Sequence, residues 1–170
     1  QFHTAMSAEE LNLDEEVTSV SLTLVSKDNQ SFTVESKNAI IAKLIKSGLE
    51  LDSSSSSFDL QVNGSVLSKI VEYMNHHQGT EADIVEKPLR HKDMEKVCKD
   101  PFDAKFIDQV DQGSRQDLYD IILAANYMDI PALLHLGCAK VASLIKGQPL
   151  EKIKDILAQG TTTTSEKQPE

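Results

Sequence analysis

The chain has 170 residues, a formal charge of −10 at pH 7 and a pI near 4.9. That length suits one domain with a true core, burying about two-thirds or more of its unfolded surface. The acidic balance argues against unaided binding to nucleic acid or an anionic membrane. No run approaches the length of a bilayer span, and the N-terminus lacks the basic-then-apolar order of a signal peptide.

Residues 1–16 read as a tag remnant followed by an acidic lead-in, with Met6-Ser7-Ala8 resembling a natural start. From Ser19 to Val25, apolar Val20, Leu22 and Leu24 alternate with Ser21 and Thr23, the period of a half-buried strand. Lys27-Asp28-Asn29-Gln30 is turn chemistry, and Phe32 and Val34 mark a returning strand, which predicts a hairpin. Asn38 to Gly48 predicts a short helix bearing Ile40, Ile41, Leu44 and Ile45, stopped by the glycine. Ser53 to Ser57 is a low-complexity loop. Phe58, Leu60 and Val62 alternate as a third strand, and Asn63 is placed to cap a helix that ends at His76-His77.

Residues 79–100 carry many charges and Pro88 without a sustained period, so a mobile linker is expected there. Phe102 to Ile107 predicts a further short helix. After Val110-Asp111-Gln112-Gly113, Ser114 and Asp117 have capping-box spacing, in which the hydroxyl accepts from the N–H three residues on. Leu118, Ile121, Ile122 and Ala125 follow at i, i+3, i+4, i+7, one apolar helical face. Asp129 is placed as the next N-cap with Pro131 in the first turn. Ile130, Leu133, Leu134, Cys138, Val141, Leu144 and Ile145 line the second helix up to Gly147. Pro149 opens a last helix, within 148–160, bearing Leu150, Ile153, Ile156 and Leu157, and a polar, disordered tail is expected at 161–170.

Chemistry-bearing patterns are sparse. The chain has no phosphate-binding glycine loop, no paired CxxC and no nucleophile elbow, so an enzyme is not expected. His76, His77, His91 and Cys98 are the densest group of metal-ligating types. Zinc needs defined tetrahedral spacing, and a helix end plus a linker do not supply it, so neither a metal site nor a cofactor is expected. Cys138, on an apolar helical face, reads as a small buried thiol, and two distant cysteines without an export signal fit a reducing compartment.

Asp120 to Ile130, with Val110–Gly113 before it and Val141–Gly147 after it, resembles the S-phase kinase-associated protein family, over roughly residues 19–156. The resemblance implies an α/β fold: a BTB/POZ-like domain of a small sheet with helices, core 17–147, followed by a C-terminal helical extension. It implies a non-catalytic adaptor, cytoplasmic and nuclear, whose partners are a cullin and an F-box protein. Asn126 and Tyr127 match the cullin-facing positions. Leu118, Tyr119, Ile122, Leu134, Cys138, Val141, Ile145, Leu150, Ile153 and Leu157 would be F-box groove or core; the spacing alone does not separate the two.

The chain departs from the family in several places. The connection after the second strand is shortened, Phe102 stands where the family has tryptophan, and about three extra residues fall between Gly113 and Leu118. Past the Ile153 helix the family has two more helices, with an acidic tryptophan-containing end; here Gly160, four threonines and a polar stretch follow. A weaker F-box grip is therefore expected. A divergent, self-associating scaffold, a homo-oligomer, is the alternative reading.

Overall fold

The computed structural model describes residues 20–158, so the lead-in and the tail fall outside the described residues. The alternation of the first strand becomes β1, Ser21–Val25, paired antiparallel with β2, Ser31–Glu35, in the register Leu22↔Val34 and Leu24↔Phe32. Leu22, Leu24 and Val34 all point into the core. The loop between them closes with Ser26 N–H donating to Gln30 O at 2.8 Å, and Asn29 takes the left-handed conformation (φ 59°) that asparagine tolerates. β3, Ser57–Asp59, lies parallel to β1, so the sheet order is β2-β1-β3. The third strand is shorter than the alternation suggested. Leu60 and Val62 stay buried beyond it, held by Leu60 N–H to Val25 O (2.8 Å) and Lys27 N–H to Val62 O (3.0 Å).

The single helix expected from Asn38 to Gly48 is two: α1, Ser36–Ala39, and α2, Lys43–Leu51. The break turns Ile41 and Ala42 into the core. It also frees the Lys43 and Leu44 N–H groups to donate to Asp129 O (3.1 Å) and Met128 O (3.2 Å), partners outside the helix. Gly48 is not a stop. It lies inside α2, where its missing Cβ admits the Phe58 ring, whose Cε1 would stand 2.5 Å from a Cβ there.

α3, Gly64–His77, carries the buried stripe Val66, Leu67, Ile70, Val71, Tyr73 and Met74. Asn63 occupies the N-cap position without a side-chain bond; Asp28, from the hairpin loop, accepts from Gly64 N–H at 2.7 Å instead. Gln78 (φ 48°) and Gly79 (φ 80°) end the helix in left-handed conformations. The stretch expected as a linker contains one 3-10 turn, Met94–Lys96, and is anchored by the buried side chains of Val85 and Met94 and by Lys146 Nζ donating to Leu89 O.

α4, Pro101–Gly113, is longer than the Phe102–Ile107 segment that suggested it, and absorbs Val110–Gly113 as its last turn. α5, Arg115–Tyr127, and α6, Pro131–Ile145, form the antiparallel pair at the centre of the helical part, and α7, Leu150–Ala158, follows. The architecture is thus the expected α/β unit followed by helices. Among the described residues no helix is long and apolar enough to cross a membrane.

Candidate functional site

The α5–α6 hairpin begins at Ser114, whose Oγ accepts from Gln116 N–H at 3.1 Å, two residues on rather than three. Asp117 does not complete a capping box, because its carboxylate pairs with Lys69 Nζ on α3 at 3.0 Å. That ion pair ties the start of α5 to the sheet-side layer.

The other end of α5 corrects the expectation for Asp129. It sits at φ 52° as the left-handed residue of a Schellman motif: Ile130 N–H donates to Ala125 O (2.8 Å) and Asp129 N–H to Asn126 O (3.2 Å). A residue committed to ending α5 in that geometry cannot also cap α6, and Ile130 takes the N-cap position without a side-chain bond. The turn is then stitched to the first turn of α2 by the two hydrogen bonds to Met128 and Asp129. Asn126 and Tyr127 therefore stand in the last turn of α5 on a backbone held from both sides. Both are exposed, Tyr127 at 42%, and its hydroxyl accepts weakly from Gln61 N–H at 3.5 Å. Leu123, 59% exposed, lies three and four residues earlier and so shares their face. Periodicity missed it, because the residue falls between the core positions Ile121 and Ala124; its i−3, i−4 relation to the polar–aromatic pair was the available signal.

Burial now separates core from surface. Leu118 is fully buried and belongs to the core. Tyr119 and Ile122 on α5, and Leu134, Val141 and Ile145 on α6, are half-buried, with Ile122, Leu134 and Val141 packed against the core's outer edge. Cys138 is exposed, against the buried thiol expected. The reason is the angle of α6: its inward stripe runs Leu133, Leu136, Gly137, Ala139 and Ser143, rotated from the 134–138–141–145 row. That row forms an outward apolar strip beside α5. Gly137 lets the helices close, since a Cβ there would come within 2.5 Å of Ile122 Cγ1.

α7 extends the strip without being sunk into it. Tyr119 Oη donates to Ile156 O at 2.7 Å, and burial raises that phenol's pKa. Ile153 is half-buried, whereas Leu150 and Leu157 are exposed. Beneath the strip, Lys140 Nζ bridges Asp108 (2.8 Å) and Asp111 (3.4 Å), and Asp111 also takes Arg115 (2.9 Å), which locks α4 to the hairpin. The structure thus offers two surfaces on one hairpin: a polar–aromatic end at 123–127 and an apolar strip along α5, α6 and α7.

The other grouped residues lie elsewhere. His91 and Cys98 line a cleft of about 480 Å³ beside α4, and His77, Asp100 and Asp103 line it too; His76 and His77 pair with Asp100 and Asp103 where α3 ends and α4 begins.

Residues 20–79 match the family model described as "Skp1 family, tetramerisation domain". The chain is 37% identical over 137 residues to the S-phase kinase-associated protein 1 homolog of Tetrahymena thermophila, covering 80% of each. It is 42% identical over 139 residues to the E3 ubiquitin ligase complex SCF subunit sconC of Arthroderma otae, covering 78% of this chain and 79% of that one. It is 33% identical over 148 residues to the SKP1-like protein 13 of Arabidopsis thaliana, covering 86% and 90%.

Proposed function

Because the chain belongs to the S-phase kinase-associated protein 1 family, we propose that it is a non-catalytic adaptor joining an F-box substrate receptor to a cullin in an SCF-type E3 ubiquitin ligase. The observation that carries this reading is the likeness to an SCF subunit along about four-fifths of the chain. The α5–α6 hairpin supports it by presenting two separate surfaces, one for each partner. The cullin would dock on the end of α5, around Asn126 and Tyr127. The F-box would lie on the strip made by Tyr119, Ile122, Leu134, Cys138, Val141 and Ile145, continued by Leu150, Ile153 and Leu157 of α7.

Such a protein works by proximity. Holding receptor and ligase on one rigid body raises the effective concentration of substrate at the transfer site, without any bond being made by the adaptor. Rigidity is therefore the property the fold must supply, and the Schellman turn, the α2 stitches and the Lys140 bridge supply it between the two surfaces. An adaptor of this class serves the cytoplasm and nucleus, and the proposal carries that location with it.

The test is co-purification of the full chain with a cullin N-terminal domain and an F-box domain, together and separately. A ternary complex at one copy of each is expected. A tight dimer that takes neither partner would instead support the self-associating scaffold and overturn the adaptor.

A further inference from the structure

The end of α3 and the start of α4 bring together four side chains that the hairpin does not use. His76 Nε2 stands 2.8 Å from Asp100 Oδ2, and His77 Nε2 stands 2.8 Å from Asp103 Oδ1. His77 and Asp103 are nearly enclosed, their side chains 8% and 9% exposed, while His76 and Asp100 open to solvent. Among the described residues, His76, His77 and Asp100 are the group whose donor atoms converge, one from each lying within 4.8 Å of the others.

We propose that His76, His77 and Asp100 bind a divalent transition-metal ion of the zinc type, with Asp103 holding the His77 ring in place and the remaining coordination filled by water.

Donors on a tetrahedral zinc ion at about 2.1 Å stand roughly 3.4 Å apart, so the group needs only small side-chain rotations to close on an ion. Two imidazoles with a carboxylate suit a borderline ion and not the all-oxygen shells of calcium or magnesium. Each ligand is also fixed from behind. The His76 ring stacks on Phe102 with centroids 3.7 Å apart and planes 9° from parallel, and the His77 ring packs on Tyr73 at 4.3 Å. Asp100 uses Oδ1 to cap α4, accepting from Phe102 N–H at 2.8 Å, which leaves Oδ2 for the cluster. The pairing of Asp103 with His77 is the carboxylate–imidazole arrangement that orients a ligating histidine.

The local field favours a cation. The last turn of α3 points its carbonyl end here. Sequence spacing hid the site, because Asp100 and Asp103 lie more than twenty residues beyond the histidines and reach them only through the packing of α4 on α3. His91 and Cys98, the partners that spacing suggested, line the same cleft as His77, Asp100 and Asp103 but are not in the converging group. An ion here would clasp α3 to α4 at the mouth of the 79–100 segment.

The test is calorimetric titration of the chelator-stripped full chain with zinc chloride, alongside the visible absorption of the cobalt(II) form. One ion per chain at micromolar affinity or tighter is expected, with the intense bands of four-coordinate cobalt. His76→Gln and Asp100→Asn should each weaken binding at least tenfold; the asparagine keeps the capping oxygen, so the fold is retained. A His3→Gln, His91→Gln, His135→Gln triple variant should bind as the wild type does. Absence of saturable binding would overturn the proposal, leaving two ion pairs only. So would binding unmoved by Asp100→Asn, or lost in the triple variant. Should His76→Gln fail to fold by circular dichroism, Asp100→Asn and the cobalt spectrum decide.

Discussion

Ile122 of α5 rests directly on Gly137 of α6: a Cβ added at 137 would lie 2.5 Å from Ile122 Cγ1 and 3.3 Å from its Cδ1. The obstructing atom is the inner methylene of a β-branched side chain, which has few rotamers to retreat into. Gly137→Ala is therefore expected to destabilise the protein by about 1–3 kcal/mol, despite the gain in helix propensity. Denaturant unfolding checks it, and the Ile122→Ala, Gly137→Ala double mutant should cost less than the sum of the singles. Additive losses would show that the two residues do not share the crossing.

The split between core and strip leads to unequal losses. Leu118→Ala opens a cavity in a fully buried site and should cost about 2–5 kcal/mol. Leu134→Ala removes a half-buried side chain at the core's edge, and about 1 kcal/mol is expected. Its larger effect should appear in F-box binding, as a faster dissociation rate in a surface-capture assay. Equal stability losses would place Leu134 in the core and remove it from the strip.

These contrasts show what the sequence could and could not convey. The hairpin of β1 and β2 and the apolar face of α5 were legible, because their buried positions keep a clean period of 2 or 3.6 against polar residues on the other side. α6 was not, since apolar residues surround much of its circumference: Leu134 and Cys138 looked as inward as Leu133 and Leu136, and only the close approach at Gly137 sets the rotation. Asp129 was misplaced for a different reason. An aspartate before a proline satisfies the rule for an N-cap, but the short turn demands a left-handed residue there to finish α5, and the two roles exclude each other. The division of Asn38–Gly48 into two helices depended on acceptors at Met128 and Asp129, some eighty residues away. The cluster at His76 was hidden for a third reason, because its carboxylates arrive through tertiary packing.

Acid should act on the cap of α3. The Ser26 hydroxyl and the Gly64 N–H, with Gln30 beside them, hold the Asp28 carboxyl below the usual carboxylate range. A carboxyl depressed in the folded state stabilises it above the unfolded value, near 4, and that contribution fades as pH falls through the folded value. Asp28→Ala should thus be less stable than wild type at pH 7, with the gap narrowing as pH drops below about 4. Urea midpoints measured from pH 7 to pH 3 check it. A gap constant across that range would mean that the loss comes from the hairpin loop's shape and not from the charged cap.

The cullin-facing assignment makes the sharpest demand. Tyr127 is exposed, its one hydrogen bond is a 3.5 Å contact from Gln61 N–H, and Asn126 faces solvent, so neither side chain holds the fold together. Asn126→Lys with Tyr127→Lys should leave the unfolding midpoint nearly unchanged, since surface substitutions usually fall within about 0.5 kcal/mol. Aromatic anchors at interfaces are worth about 2 kcal/mol or more, so the same change should weaken cullin binding by well over tenfold. Leu123, on the same face, should behave as a second anchor: Leu123→Ala is expected to lose several-fold in affinity while F-box binding holds. Titration of the cullin N-terminal domain against the three proteins measures all of this. Wild-type affinity in the double lysine variant would move the cullin off the end of α5. Loss of F-box binding in the same variant would show that the two surfaces are not independent, and that the hairpin, and not its faces, had been damaged.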